Sequence, residues 1–157
     1  MATITNKPIS EISIGDKCNY TKTCTAEDVQ LFAVVSGDAN PVHLDAEYAA
    51  TTQFGQQIAH GMYTGSLVSA ALAMELPGPG TIYLGQEIKF RAPVFIGDTI
   101  TVELTVEAIR EDKAIVTLAC DCKNQDGKTV AMGTATVIAP SEKMELEAPA
   151  LAKVTLG

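Results

Sequence analysis

The stretch MYTGSLVSAALAMEL, Met62 to Leu76, restricts the possible folds of this chain more than any other. It is apolar or small nearly all round, with its charge confined to Glu75 at the far end. A helix of that composition must be buried on most of its faces. The run PGPG, Pro77 to Gly80, stops it. Something must therefore wrap it, and the rest of the chain supplies a wrapper. Ile100, Val102, Leu104 and Val106 alternate with Thr and Glu, and Ala114, Val116, Leu118, Cys120 and Cys122 alternate again. That period of two marks half-buried strands. TIYLGQEIKF reads as a strand before them, and Thr129 to Ala139 as the last strand, entered through the NQDG turn at Asn124 to Gly127. The expected class is α+β: a strongly curved antiparallel sheet around a central helix.

The N-terminal part prepares that helix. Residues 1–10 read as a loose end, and Cys18 to Cys24 as a short strand. Thr25 offers an N-cap with Asp28 in the first turn, and Val29, Phe32 and Ala33 give the apolar spacing of an amphipathic helix. Gly37 is placed to close it in a left-handed conformation. Asp45 caps a second short helix through Ala50, and Phe54 to Ala59 is a loop. No order is assigned to the tail from Ser141 to Gly157. The whole chain, 1–157, reads as one domain.

Composition narrows the function classes. A net charge of -8 argues against nucleic acid and anionic membrane as partners, though a local basic patch could still meet a phosphorylated ligand. The N-terminal residues MATITNKPISE contain no apolar run, and the longest apolar stretch is too rich in Ser, Thr and Gly to span a bilayer. A cytoplasmic protein is expected. Cys18, Cys24, Cys120 and Cys122 form no CxxC pair and read as buried reduced thiols, the last two on one face of a strand.

The polar stretch SGDANPVHLD, Ser36 to Asp45, stands out among apolar segments. Asp38 and His43 are natural partners for moving protons. Pro41 stiffens the loop between them, which suits a preorganised site. From spacing alone, however, a capped surface turn is the better-supported reading. In IAHGMYTGSLVS, Ile58 to Ser69, Gly61 opens the buried helix, where free N–H groups favour negative charge. It is either an oxyanion donor or a packing glycine, and the residues leave both open. His60 reads as a satisfied structural histidine. Ser66 and Ser69 form no nucleophile elbow; their hydroxyls are expected to bond back to the preceding turn. His43, Asp45 and His60 could be drawn as a metal site, but no recognised ligand spacing supports one.

Taken together, SGDANPVHLD, IAHGMYTGSLVSA and YLGQEIKFRAPVFIGDTI resemble the hydratase-2 or MaoC-like family, and within it the short (R)-specific enoyl-CoA hydratases. The resemblance runs from about Ile12 to Ile138. It implies a hot-dog fold, a long helix wrapped by a sheet, and usually a homodimer joined edge to edge. It implies reversible hydration of trans-2-enoyl-CoA to (R)-3-hydroxyacyl-CoA, with no metal or redox cofactor, coenzyme A being part of the substrate. Several members feed polyhydroxyalkanoate synthesis. Residue by residue, Asp38 and His43 match the catalytic pair, Gly61 the oxyanion donor, Ser69 a pocket serine and Asn40 a loop-orienting position. Ser69 and Leu72 are three apart, so Leu72 is expected beside Ser69 at the acyl chain. The resemblance reverses the surface-turn reading of Asp38 and His43.

Rival readings remain at this stage. The same site would serve a dehydratase acting on acyl carrier protein or on a branched or dicarboxylic acyl-CoA. A hot-dog thioesterase commonly needs a carboxylate on or near the helix, and here there is only Glu75 at its far end. A non-catalytic acyl-CoA-binding protein would have no reason to keep Asp38, His43 and Gly61 together.

Overall fold

A computed structural model describes residues 2–157. The elements are β1 (Thr3–Thr5), β2 (Lys17–Thr23), α1 (Ala26–Ser36), α2 (Pro41–Leu44), α3 (Ala46–Ala50), α4 (Gly61–Met74), β3 (Ile82–Phe90), β4 (Thr99–Arg110), β5 (Ile115–Lys123), β6 (Thr129–Ile138) and β7 (Glu145–Glu147). Short 3-10 turns lie at Ile9–Glu11 and Glu111–Lys113.

Five strands form one antiparallel sheet in the order β2-β4-β5-β6-β3. Alternation decides its inner face. Ile100, Val102, Leu104 and Val106 of β4 and Val116, Leu118, Cys120 and Cys122 of β5 are all buried. Their neighbours in sequence face outward, where cross-strand threonine pairs such as Thr21–Thr101 and Thr23–Thr99 join hydroxyls. The inner face packs on Leu67, Val68, Ala71 and Leu72 of α4, in one continuous core. This is the hot-dog arrangement the sequence predicts. No helix among the described residues is long and apolar enough to cross a membrane.

The helix starts follow their caps. Thr25 and Asp28 form a reciprocal capping box at α1, and Gly37 closes that helix at φ 81°. Asp45 caps α3. At its other end α4 stops at Met74, and the Gly78 N–H bonds back to the Leu72 carbonyl.

The structure corrects the sequence reading in three places. Of the segment 1–10, read as a loose end, the described residues 2–10 are not loose: β1 pairs antiparallel with β7, Thr3 opposite Glu147. The Asn6 side chain fastens this pair, donating to the Pro79 and Glu142 carbonyls and accepting from the Met144 N–H. The tail therefore contains a strand, and β6 is not the last one. Second, α2 was absent from the sequence reading, although Asn40 as N-cap with Pro41 in the first turn is a helix-start signal. Third, Ala114 lies outside β5, in the left-handed turn before it, at φ 54°. As the sequence predicts, α4 is buried on most of its faces. Met62, Ser66, Ser69 and Ala73 form an exposed stripe along it.

Candidate active site

The loop after α1 is built from nested side-chain turns. The Asp38 N–H donates to Ser36 Oγ, the Asn40 N–H to Asp38 Oδ1, and the Val42 N–H to Asn40 Oδ1. Asn40 thus caps α2, and Pro41 begins it with a fixed φ and no N–H to satisfy. Asp38 resolves the ambiguity of its spacing by serving both roles. Its Oδ1 holds the turn, while Oδ2 points at two imidazoles, 3.9 Å from His43 Nε2 and 4.0 Å from His60 Nε2. Those separations are too long for direct hydrogen bonds and suit a small polar molecule bridging the groups.

The two histidines are buried and stacked, with ring centroids 3.8 Å apart. Their hydrogen bonds differ. His43 Nδ1 lies 2.7 Å from the Ile58 carbonyl oxygen. A carbonyl only accepts, so Nδ1 carries a proton, and in the neutral ring Nε2 presents its lone pair toward Asp38. His60 uses the opposite nitrogen: its Nε2 lies 2.9 Å from the Asp38 carbonyl and donates to it. Its Nδ1 is buried without a partner. The sequence reading of His60 as a satisfied histidine is therefore half right. The ring supports His43 from below and ties the Asp38 backbone to the start of α4.

The segment before α4 is stitched at both sides. Gln57 Nε2 donates to the His43 carbonyl, the Ile58 N–H to the Val42 carbonyl, and the Ala59 N–H to the Val94 carbonyl. This brings Gly61, the first residue of α4, beside the imidazoles. Gly61 sits against Phe90: a Cβ built there would lie 3.1 Å from the ring's Cζ. Any larger residue at 61 must push that ring aside. A cavity of about 400 Å³ opens beside it, lined by Phe54, His60, Gly61, Phe90, Arg91 and Val94 among others.

The other expected residues are placed less centrally. Ser66 bonds back to the Tyr63 carbonyl at 2.6 Å, as expected of a helix serine. Ser69 lies on the exposed stripe of α4, whereas Leu72 is 1 % exposed and belongs to the core. Three residues on a helix leave an angular offset, and here the boundary between open stripe and core falls within it. Neither residue lines the cavity beside Gly61. Sequence reasoning passed over Phe90 and Arg91, since a strand end carries no motif for a cavity wall.

Asp38, His43 and His60 place one ligand atom each within 4.8 Å of one another. Asp45, drawn into a metal set from sequence, caps α3 instead, accepting from the Tyr48 N–H. A metal would require His60 Nε2 to give up its proton and its bond to the Asp38 carbonyl. The donor set is therefore a poor cation site and a good proton-handling one. The thiols offer no rival nucleophile. Burial pushes Cys24 up to about 11 and Cys122 up to about 12, and raises Cys120 as well.

With this geometry in hand, three comparisons bear on the chain. The MaoC like domain model matches residues 11–126. The (R)-specific enoyl-CoA hydratase of Aeromonas caviae is 46% identical over 129 residues, covering 82% of this chain and 96% of that protein. The 3-hydroxybutyryl-CoA dehydratase of Methylorubrum extorquens is 44% identical over 133 residues, 85% of this chain and 84% of that one. Among solved structures, the unliganded R-hydratase PhaJ1 of Pseudomonas aeruginosa superposes with a TM-score of 0.96 at 50% identity, over 99% of this chain and 100% of that one.

Proposed function

This chain belongs to the MaoC-like domain family, and from that premise we propose that it is an (R)-specific enoyl-CoA hydratase, a hydro-lyase working without a metal or redox cofactor. The observation that carries the reading is the convergence of Asp38 Oδ2 and His43 Nε2, 3.9 Å apart, beside the start of α4. The stereochemistry rests on likeness to relatives named as (R)-specific.

In the hydration direction, Asp38 and His43 hold one water between them. One of the pair takes a proton from it as its oxygen bonds to C3 of the trans-2-enoyl thioester. The C2=C3 π electrons move toward the thioester, and negative charge builds on its oxygen. The Gly61 N–H, at the positive end of α4, is assigned to stabilise that oxygen. The pair then delivers a proton to C2, and the thioester carbonyl is restored. Water has been added across the double bond, and dehydration is the same path reversed. Asn40 acts by holding the loop; the acyl chain is assigned to α4, where Ser69 faces the open stripe and Leu72 the core.

We further assign the chain to a homodimer. The edge strand β3 leaves Ile82, Tyr83 and Leu84 exposed, which a second copy would cover by pairing edges. Light scattering tests this: a stable monomer at working concentrations would overturn the assignment.

The activity itself is tested by incubating the purified protein with enoyl-CoA of several chain lengths and resolving the product on a chiral phase. The expected product is (R)-3-hydroxyacyl-CoA, formed equally well after exhaustive chelation. An (S) product, or no hydration at any length, overturns the proposal. Release of free coenzyme A thiol would favour a thioesterase instead.

A further inference from the structure

The chain is acidic, with 11 Lys and Arg against 19 Asp and Glu, so a polyanionic substrate meets an unfavourable overall field. Any phosphate-binding residue must act locally. Among the described residues, the Lys and Arg side chains outside ion pairs are Lys89, Arg91, Lys113, Lys128 and Lys153. Their positions separate them. Lys113 lies in the turn between β4 and β5, Lys128 in the turn between β5 and β6, and Lys153 in the tail. Lys89 lies on the outer face of the sheet, beside Glu87, Glu103, Glu107 and Asp121. Arg91 differs: it lines the cavity that contains His60 and Gly61.

Two features make Arg91 more than a surface cation. Its backbone is fixed, because the Arg91 and Ala92 N–H groups both donate to the Val130 carbonyl, at 2.8 and 3.2 Å. Its side chain is exposed and unpaired, free to reach along the cavity mouth. Phe54 and Phe90 line the same cavity with apolar rings, and the Phe90 ring lies against Gly61. A ligand that fits must place a carbonyl at the helix start, run an uncharged arm between aromatic rings, and end in negative charge outside. An acyl thioester of pantetheine phosphate has that order of groups.

We propose that the cavity is the vestibule for the coenzyme A handle, and that Arg91 binds its phosphates. This rests on the acyl-CoA reading above. The guanidinium fork suits phosphate oxygens, and the long, exposed Arg91 side chain starts from the lining of this cavity. Arg91 sets affinity for the handle and takes no part in moving the proton.

The test compares two substrates with the same acyl group, crotonyl-CoA and crotonyl-pantetheine, which lacks the phosphates. Wild type, Arg91→Ala, Arg91→Lys and Arg91→Glu are assayed, with Lys89→Ala as the control. For crotonyl-CoA, Arg91→Ala is expected to raise KM on the order of tenfold, the scale of a charge-assisted hydrogen bond, with kcat nearly unchanged. Arg91→Lys should recover part of that loss, and Arg91→Glu should exceed it. KM for crotonyl-pantetheine should stay at the wild-type value in all of them, which also shows each variant to be folded. Equal effects on both substrates, or none on either, overturn the assignment of Arg91 while leaving the hydratase reading intact. Failure of the wild type to hydrate either substrate overturns the hydratase reading and this assignment with it.

Discussion

The loop from Ser36 to Gly61 and the paired strands β4 and β5 are held together in opposite ways. Between the strands, every inward side chain from Ile100 to Val106 and from Val116 to Cys122 is apolar and buried, and each has similar neighbours on both sides. In the loop, the buried groups include His43 and His60, and most of the fixing bonds run from side chain to backbone. The strands are redundant, since losing one methyl group leaves the others in place. The loop has few spare members, because nearly every fixing bond is made by a different polar atom. Damage should therefore appear as lost stability in the strands and as lost rate in the loop.

The sharpest way to break this contrast is to change the proton-handling atoms. Asp38→Asn and His43→Ala should each lower kcat by at least about 10²-fold, the usual scale of acid-base contributions. Melting temperature should fall little, since Asn at 38 can still accept from the Asn40 N–H. The double variant should be scarcely slower than the worse single one, because groups acting as a unit are not additive. Near-normal turnover in either folded single variant would remove the assignment.

How much of this was legible in the sequence follows the same division. Alternation in β4 and β5 and the apolar run of α4 are local patterns, and they placed sheet, helix and core. Thr25, Asp28 and Gly37 marked α1 because capping is also local. The β1–β7 pair was hidden, since three-residue strands show no period and their partners lie at opposite ends of the chain. In the site, Asp38, His43 and Gly61 were named through a family resemblance, because spacing alone favoured a plain turn for the pair and left Gly61 open between oxyanion donor and packing glycine. That the turn and the pair use different oxygens of Asp38 is a matter of side-chain direction, which no spacing records. Arg91 and Phe90 escaped because a cavity wall is assembled from segments distant in sequence.

The opposite arm of the contrast is a core truncation. Leu118→Ala should cost about 2–5 kcal/mol, the range for a fully buried leucine, and leave KM unchanged. Leu72→Ala should cost a similar amount, since Leu72 is equally enclosed. The two differ if Leu72 forms the floor of the acyl site. Then Leu72→Ala alone raises the ratio of kcat/KM for an eight-carbon over a four-carbon enoyl-CoA. An unchanged ratio in both folded variants would place the acyl chain elsewhere.

His60 stands between the two regions, packed like a core residue and bonded like a site residue. His60→Ala removes the donor to the Asp38 carbonyl and the ring beneath His43. The expected loss in kcat is on the order of tenfold, from an interaction worth about 1 kcal/mol of positioning, and smaller than in His43→Ala. Matching the full loss of His43→Ala would mean that His60 itself handles a proton.

The smallest effect expected comes from Asp28, which links the regions from outside the site. Its Oδ2 accepts from the Thr25 N–H and from the Tyr63 hydroxyl of α4, and pairs with Lys22 of β2 at 3.4 Å. Partial burial works to raise its pKa, but the Thr25 N–H and the Lys22 charge outweigh that and hold it below the ordinary carboxylate value. A folded pKa below the unfolded one means the ionised form is favoured by folding. The resulting stability is fully present above the unfolded value of about 3.9 and is lost as pH falls through the lower folded value. Asp28→Asn lacks this term at every pH. Urea melts should therefore show wild type more stable than Asp28→Asn at pH 7, by about 1 kcal/mol, with the gap closing as pH drops below about 4. Turnover at pH 7 should be nearly unchanged, since Asp28 touches neither His43 nor Gly61. A gap that stays constant across the acid range would show that the lost interaction is packing rather than charge, and Asp28 would then belong with the strands rather than the loop.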